Sequence, residues 1–260
     1  MHPNPVRSAV CLLLLCGLAA AARAEPAATD TPQVLNLPGL TAHFAERYVD
    51  LDATVCLTDG YLELIACTRG TKEHESIVTI SALPQHVHAA LLLMGVENGH
   101  PATTRRLEGE PERFVHLPPR GAPVRVSLVV RDANGKAAER PISDFVVYAP
   151  GEGRPAPDDA PPGDDADAPR KFPDVFLFAG SLLDEGPAGR VYLAEHSGNV
   201  ISVATFGDEV LCLPGKHSTD NGFLVWRANP EQLPEVDTAV TLRLRPVERP
   251  AAAREPATAP

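Results

Sequence analysis

The sequence predicts a mainly β fold of the α+β kind: antiparallel sheets with β-hairpins and one main helix packed on them near residues 84–94. Three observations carry that reading. Short apolar runs alternate with polar residues at a period of two, turn signals such as Asn134-Gly135 separate them, and only the stretch from Leu83 to Met94 repeats its apolar positions at helical spacing.

The chain opens with Arg7, an apolar core from Ala9 to Leu18 and the small-residue exit Ala22-Arg23-Ala24. That is the order of a secretory signal peptide over residues 1–24, so the expected product is exported, periplasmic or extracellular, and begins at Glu25. The core is shorter than the ~20 apolar residues a spanning helix needs, and nothing after it reads as transmembrane. Residues 1–24 hold Arg7 and Arg23 and no acid; taking these two from 23 basic residues leaves 21 against 34 acidic ones, a net charge of −13. Such a chain repels phosphate backbones, which argues against nucleic acid and leaves an envelope protein or a small ligand as the expected partner.

Residues 25–36 are short of bulky apolar side chains and are expected to be flexible, with order beginning at Leu37. Over residues 47–57, Val49, Leu51, Ala53 and Val55 alternate with Asp50, Asp52 and Thr54, a half-buried strand. Thr58-Asp59-Gly60 supplies a turn, and residues 61–67, YLELIAC, read as the returning strand of a hairpin. This pairing bears on the cysteines. With the turn at 58–60, Cys67 lies four or five residues beyond the position opposite Cys56, roughly 13–17 Å away. A disulfide spans about 7 Å between Cα atoms, so a Cys56–Cys67 bridge requires the hairpin to be absent, and small buried thiols are the expected state of Cys56, Cys67 and Cys212. No CxxC pair or Cys/His ladder is present, which disfavours iron–sulfur clusters and structural zinc, and no cofactor is expected.

Ser76 to Ile80 form a short β-branched strand. Pro84 suits the first turn of the helix that follows, and Gly95 can close it. Residues 96–121 are a Pro-, Glu- and Arg-rich connection with a short strand at Phe114–Leu117. Val124, Val126, Leu128 and Val130 alternate with polar residues up to the Asp132–Gly135 turn, and Asp144–Tyr148 are expected to complete the return. Residues 150–170 hold no bulky apolar side chain and read as a disordered acidic insertion. Strands are expected at 175–179, 191–194, 200–206, 223–228 and 239–244, with a turn at Ser197-Gly198-Asn199 and a disordered tail over residues 248–260.

The polar run Lys72-Glu73-His74-Glu75-Ser76 invites a chemical reading. A metal site would recruit His74 with Glu73 or Glu75 and with His86 or His88, since imidazole and carboxylate suit zinc and similar ions. His86 and His88 lie two residues apart on the helix, about 200° around its axis, and cannot face one ion together. In an extended chain Glu73 and Glu75 point away from His74 and Ser76. A nucleophilic site would pair Ser76 with His74, or Ser218 with His217 and Asp220, yet no GxSxG or HExxH pattern supports either. The expected state is a solvated turn entering a strand, with Lys72, His217, Asp220 and Asn221 as candidate ligand contacts.

The run ELIACTRGTKEHESIVTISALPQHVHAALLLMG, residues 63–95, resembles the core of the YdjY-domain family of secreted bacterial proteins. FLFAGSLL (residues 176–183), VYLAEHSGNVISVATF (191–206) and DNGFLVWRAN (220–229) are similar to that family's second half. The resemblance implies one composite β-rich domain over residues 37–247, interrupted by the acidic insertion, and brings no established activity. The expectation is a non-catalytic binding or envelope-associated module, with a metal-dependent or hydrolytic enzyme at Lys72–Ser76 as the alternative.

Overall fold

The computed structural model describes residues 33–107, 113–131, 134–150, 170–186, 189–215, 217–220 and 223–248. Strands β1 (Val34–Leu37) and β2 (Leu40–His43) form a tight hairpin through Gly39 and lead to β3 (Tyr48–Val55). Next come β4 (Leu64–Thr68), a crossover, β5 (Ser76–Ile80) and helix α1 (Pro84–Leu93). A ribbon of β6 (Thr103–Leu107) and β7 (Arg113–Leu117) precedes β8 (Pro123–Arg131), β9 (Ala137–Pro141) and β10 (Val146–Tyr148). Beyond the acidic stretch lie β11 (Val175–Phe178), the ribbon of β12 (Leu183–Gly186) and β13 (Gly189–Tyr192), and the five-residue helix α2 (Leu193–Ser197). Strands β14 (Asn199–Ser202), β15 (Leu211–Cys212), β16 (Trp226–Ala228) and β17 (Ala239–Pro246) complete the described elements.

The mainly β expectation holds, in a closed form. Among the described residues, β3, β17, β8, β11, β15, β14, β4 and β5 are neighbours in that order, and β5 pairs back onto β3 to shut a barrel. The β14–β15 and β4–β5 pairs are parallel and the other ring pairs antiparallel. A ring of this size is filled by side chains rather than water. The period-two residues supply that filling in layers: Leu242 lies opposite both Leu51 and Leu128, and Leu244 opposite both Val49 and Val126. All six are at most 2 % exposed. Val87, Ala90 and Leu91 of α1 and Met94 at its cap join the same core, as their spacing predicted, whereas Leu83, counted on the same face, is exposed just before the first turn.

One side of β3 is shared. Its first half pairs with β2 and its second half with β5, and the two partners meet end to end where Gly39 passes Ala82. Gly39 has φ +71°, and a Cβ there would stand 2.6 Å from the Ala82 nitrogen, so only glycine fits this joint. On the outer face of β3 and β17, Arg243 grips Asp50 through Nε (2.7 Å) and Nη2 (2.8 Å) and reaches Glu139 of β9 through Nη1 (2.9 Å). Arg245 binds the same Glu139 carboxylate at 3.0 and 2.9 Å.

Several sequence expectations are corrected. Strand β1 begins at Val34, inside the segment expected to be flexible. The hairpin of 47–57 with 61–67 does not form: β4 pairs with β14 and β5, and after the bend at 58–60 the chain turns toward β16, where the Leu62 N–H donates to the Trp226 carbonyl at 2.9 Å. The physical reason is that Leu64–Cys67 are buried on both faces, which suits a strand covered inside and out rather than a half-buried return. Asn134-Gly135 does turn the chain, but the return is β9, whereas Asp144 sits in a 3₁₀ turn and Val146–Tyr148 pair with β16. Residues 73–75 are a 3₁₀ turn instead of extended chain. The stretch expected as a strand at 191–194 passes into α2, with Gly198 in the left-handed conformation as its cap. The signal segment and most of the acidic insertion and tail lie outside the described residues.

Candidate functional site

Parallel neighbours such as β4 and β5 cannot be joined by a hairpin; the chain must return from the end of one strand to the start of the next. Here residues 69–75 make that return. Gly70, at φ +80°, begins the bend, and its N–H donates to the Glu73 carboxylate. Thr71 Oγ1 donates to the Thr68 carbonyl at 2.6 Å, and Ser76 Oγ to the Lys72 carbonyl at 2.7 Å. Gly198 presses on this crossover from α2: a Cβ there would fall 2.3 Å from Thr71 Oγ1.

The crossover sorts the predicted side chains. His74 is 79 % exposed and stands 3.5 Å from Glu75. Lys72 and Glu75 are half-buried, 3.7 Å apart, and the Lys72 ammonium sits 3.6 Å above the ring of Phe206. Ser76 is fully buried. Glu63, which sequence reasoning passed over, lies under the turn at 7 % exposure; its N–H donates to the Glu75 carbonyl at 3.1 Å. Burial, and then the neighbouring Glu75 charge, push the Glu63 carboxyl above its ordinary range. A single acid inside the apolar run YLELIAC was the available signal.

His217 arrives in the same neighbourhood through its backbone: its carbonyl accepts from the Thr205 N–H at 3.0 Å and its N–H donates to Thr205 Oγ1 at 2.8 Å, beside Phe206. Its imidazole is 2.9 Å from the Pro214 carbonyl. The Asp220 N–H donates to Ser218 Oγ at 3.0 Å, and Asn221 lies outside the described residues. His88 bonds Tyr192 through Nδ1 at 2.9 Å, away from the crossover turn. Among the described residues no three His, Cys, Asp or Glu side chains gather as a metal site.

Two cysteines stand on either side of β5, which β3 and β4 flank. Cys56, just past the end of β3, meets the start of β5: its thiol donates to the Ser76 carbonyl at 3.1 Å and its N–H to the Ile77 carbonyl at 2.9 Å. Cys67 is fully buried, and the influence of Cys56 brings its thiol below the ordinary value, to about 6. Cys56 is driven the other way, above its ordinary value, by Cys67 and by burial. Cys212, on β15, is raised by burial and by the nearby Glu209.

A second polar group lies at β14–β15. Glu209 is fully buried, with Oε2 accepting the N–H groups of Gly207 (2.7 Å) and Asp208 (3.0 Å) and Oε1 left without a partner. Burial raises its carboxyl above the ordinary range.

The YdjY domain family matches residues 42–157. The chain carries a YdjY domain. The YdjY match takes in β3, β4, β5 and β8 together with the crossover, Cys56 and Cys67, whereas β11, β14, β15 and β17 of the same ring follow it in the chain. No curated protein and no solved structure matches the sequence. Among the described residues of this YdjY protein, no helix is long and apolar enough to cross a membrane.

Proposed function

We propose that this YdjY protein is an exported, non-catalytic binding module of the cell envelope, and that it meets an envelope protein or small ligand at the β4–β5 crossover. The observation that carries the reading is the way Lys72 is held: seated on Phe206 and paired with Glu75 on a turn tied at both ends by hydrogen bonds. A cation fixed on an aromatic face is a recognition element with little ordering cost left to meet on binding. Nucleophilic chemistry needs a hydroxyl activated by a base that is itself oriented. Ser76 instead donates to a backbone carbonyl, and His74 faces solvent.

The test is turnover by the purified chain against panels of ester, phosphoester and peptide substrates, with and without divalent metal, alongside metal analysis of protein prepared without chelators. No turnover and no stoichiometric metal are expected. The buried Glu63, whose carboxyl is raised by burial and by the neighbouring Glu75, favours the rival reading of acid–base hydrolysis. Turnover that disappears in both Glu63→Gln and Glu75→Gln would establish that rival and end the binding reading. Export is tested by cell fractionation with N-terminal sequencing; a cytosolic chain that starts at Met1 refutes it.

A further inference from the structure

We infer that two copies of this chain join edge to edge through strand β1, antiparallel about a two-fold axis, so that one sheet runs on into the other. The inference is independent of what the crossover binds. Among the described strands of the large sheet, β1 and β9 are the ones with a strand partner on one side only. The two edges differ in kind. Strand β9 carries Glu139, Arg140 and Pro141, the charges and proline with which natural edges refuse a further strand, whereas β1 is Val34-Leu35-Asn36-Leu37, without charge or proline. The hairpin register tells which groups of this edge are free. The Phe44 N–H donates to the Gln33 carbonyl at 3.0 Å, so Gln33, Leu35 and Leu37 face β2, and the N–H and C=O groups of Val34 and Asn36 point out from the edge. The strand is already held in shape: Leu35 and Leu37 pack on the core, and Thr41 Oγ1 donates to the Asn36 side chain at 3.1 Å. Little ordering cost is left for a partner strand to meet.

A second copy of β1 is a strand that fits. Laid antiparallel with Leu35 at the axis, Val34 of each copy faces Asn36 of the other, and each such pair exchanges both N–H···O bonds. The two Leu35 side chains then stand opposite each other, and the contact is the same from either side, as a two-fold interface requires. Charge points the same way. The chain is acidic, so its copies repel each other over most of their surface. After residue 24, however, the two longest runs without Asp, Glu, Lys or Arg are 31–45, which holds β1 and β2, and 76–96, which holds β5 and α1. These runs meet where Gly39 passes Ala82, beside the exposed Leu83, so the neutral ground lies around this edge. An interface built on one short strand is small, and the dimer it makes is reversible.

Sedimentation equilibrium of the chain, purified as the cell leaves it, is expected to show the mass rising toward twice the monomer as concentration is raised. In the same samples hydrogen exchange, followed residue by residue by NMR, should slow at Val34 and Asn36, roughly two-fold when half the chains are paired, and stay unchanged at Leu35 and Leu37. Asn36→Pro removes an outward N–H and none that bonds β2, and Val34→Lys puts a charge on each edge. Each is expected to hold the mass at the monomer while circular dichroism keeps the parent's form. A monomer at every concentration overturns the inference and leaves the edge to a strand of another protein. So does a dimer that neither substitution weakens, or one without protection at Val34 and Asn36, since another surface would then make the contact. Should Asn36→Pro fail to fold, Val34→Lys and the exchange pattern of the native chain decide.

Discussion

Replacing Glu139 by glutamine removes the carboxylate that ties β9 to Arg243 and Arg245 of β17 while keeping its size. Hydrogen bonds from Arg245 and then Arg243 hold this carboxyl at about 2, against 4.5 ordinarily. The folded chain therefore binds this proton more weakly than the unfolded one. The stability it contributes is fully present above the ordinary value and is lost as pH falls through the folded one. At about 1.36 kcal/mol for each pH unit between the two values, the ceiling is about 3.4 kcal/mol. The side chain is 30 % exposed, so solvent screens the interaction and about 1–2 kcal/mol is expected. Urea unfolding followed by tryptophan fluorescence, with Trp226 as the reporter, measures this at pH 7 and at steps down to pH 2.5. Glu139→Gln is expected to be less stable at pH 7 and to converge on the parent as the parent loses the pairing in acid. A constant offset between the two at every pH would refute the reasoning, because it would mean that the carboxylate's charge contributes nothing.

Gly198→Ala combines a left-handed backbone, φ +77°, with a Cβ pushed into Thr71; a loss of about 1–3 kcal/mol is expected, read as a lower thermal midpoint together with faster alkylation of Cys67 as the crossover lifts. Glu209 is the reverse of Glu139: its folded value is raised, so its contribution is present in acid and lost as pH rises through that value. Glu209→Gln should flatten the fall in urea stability as pH rises above the ordinary carboxylate value, and an unchanged slope would contradict the assignment. His74→Ala, at a side chain 79 % exposed, should leave stability within about 0.5 kcal/mol of the parent by the same unfolding assay.

Elements with one wet and one dry face were legible in the sequence. Strands β3, β8 and β17 alternate because their inner residues fill the ring, and Val87, Ala90 and Leu91 of α1 recur with the capping Met94 because one side of the helix meets the same core. Strands β4 and β5 carry no such alternation, since they are buried on both faces, and so nothing local marked them as parallel neighbours. Strand β9, AAERP, was missed for the opposite reason: it lies outside the ring on β8 and buries none of its residues fully. The site divides along the same line. Lys72, Glu75 and Ser76 were visible in one polar run. Phe206 joins them from a distant segment, and a hairpin that does not exist hid the contact of Cys56 with the Ser76 carbonyl.

Strand β17, the last of the described strands, lies between β3 and β8 and supplies a partner to each along most of their length. A ribosome makes it last. Until then the two earlier strands have bare flanks where β17 will sit, and the ring has a gap that no earlier segment of the described chain fills. Closing contacts so distant in sequence is slow as well as late. In the nascent polypeptide the ring thus cannot close until β17 has been made, so its completion waits on almost the whole of synthesis.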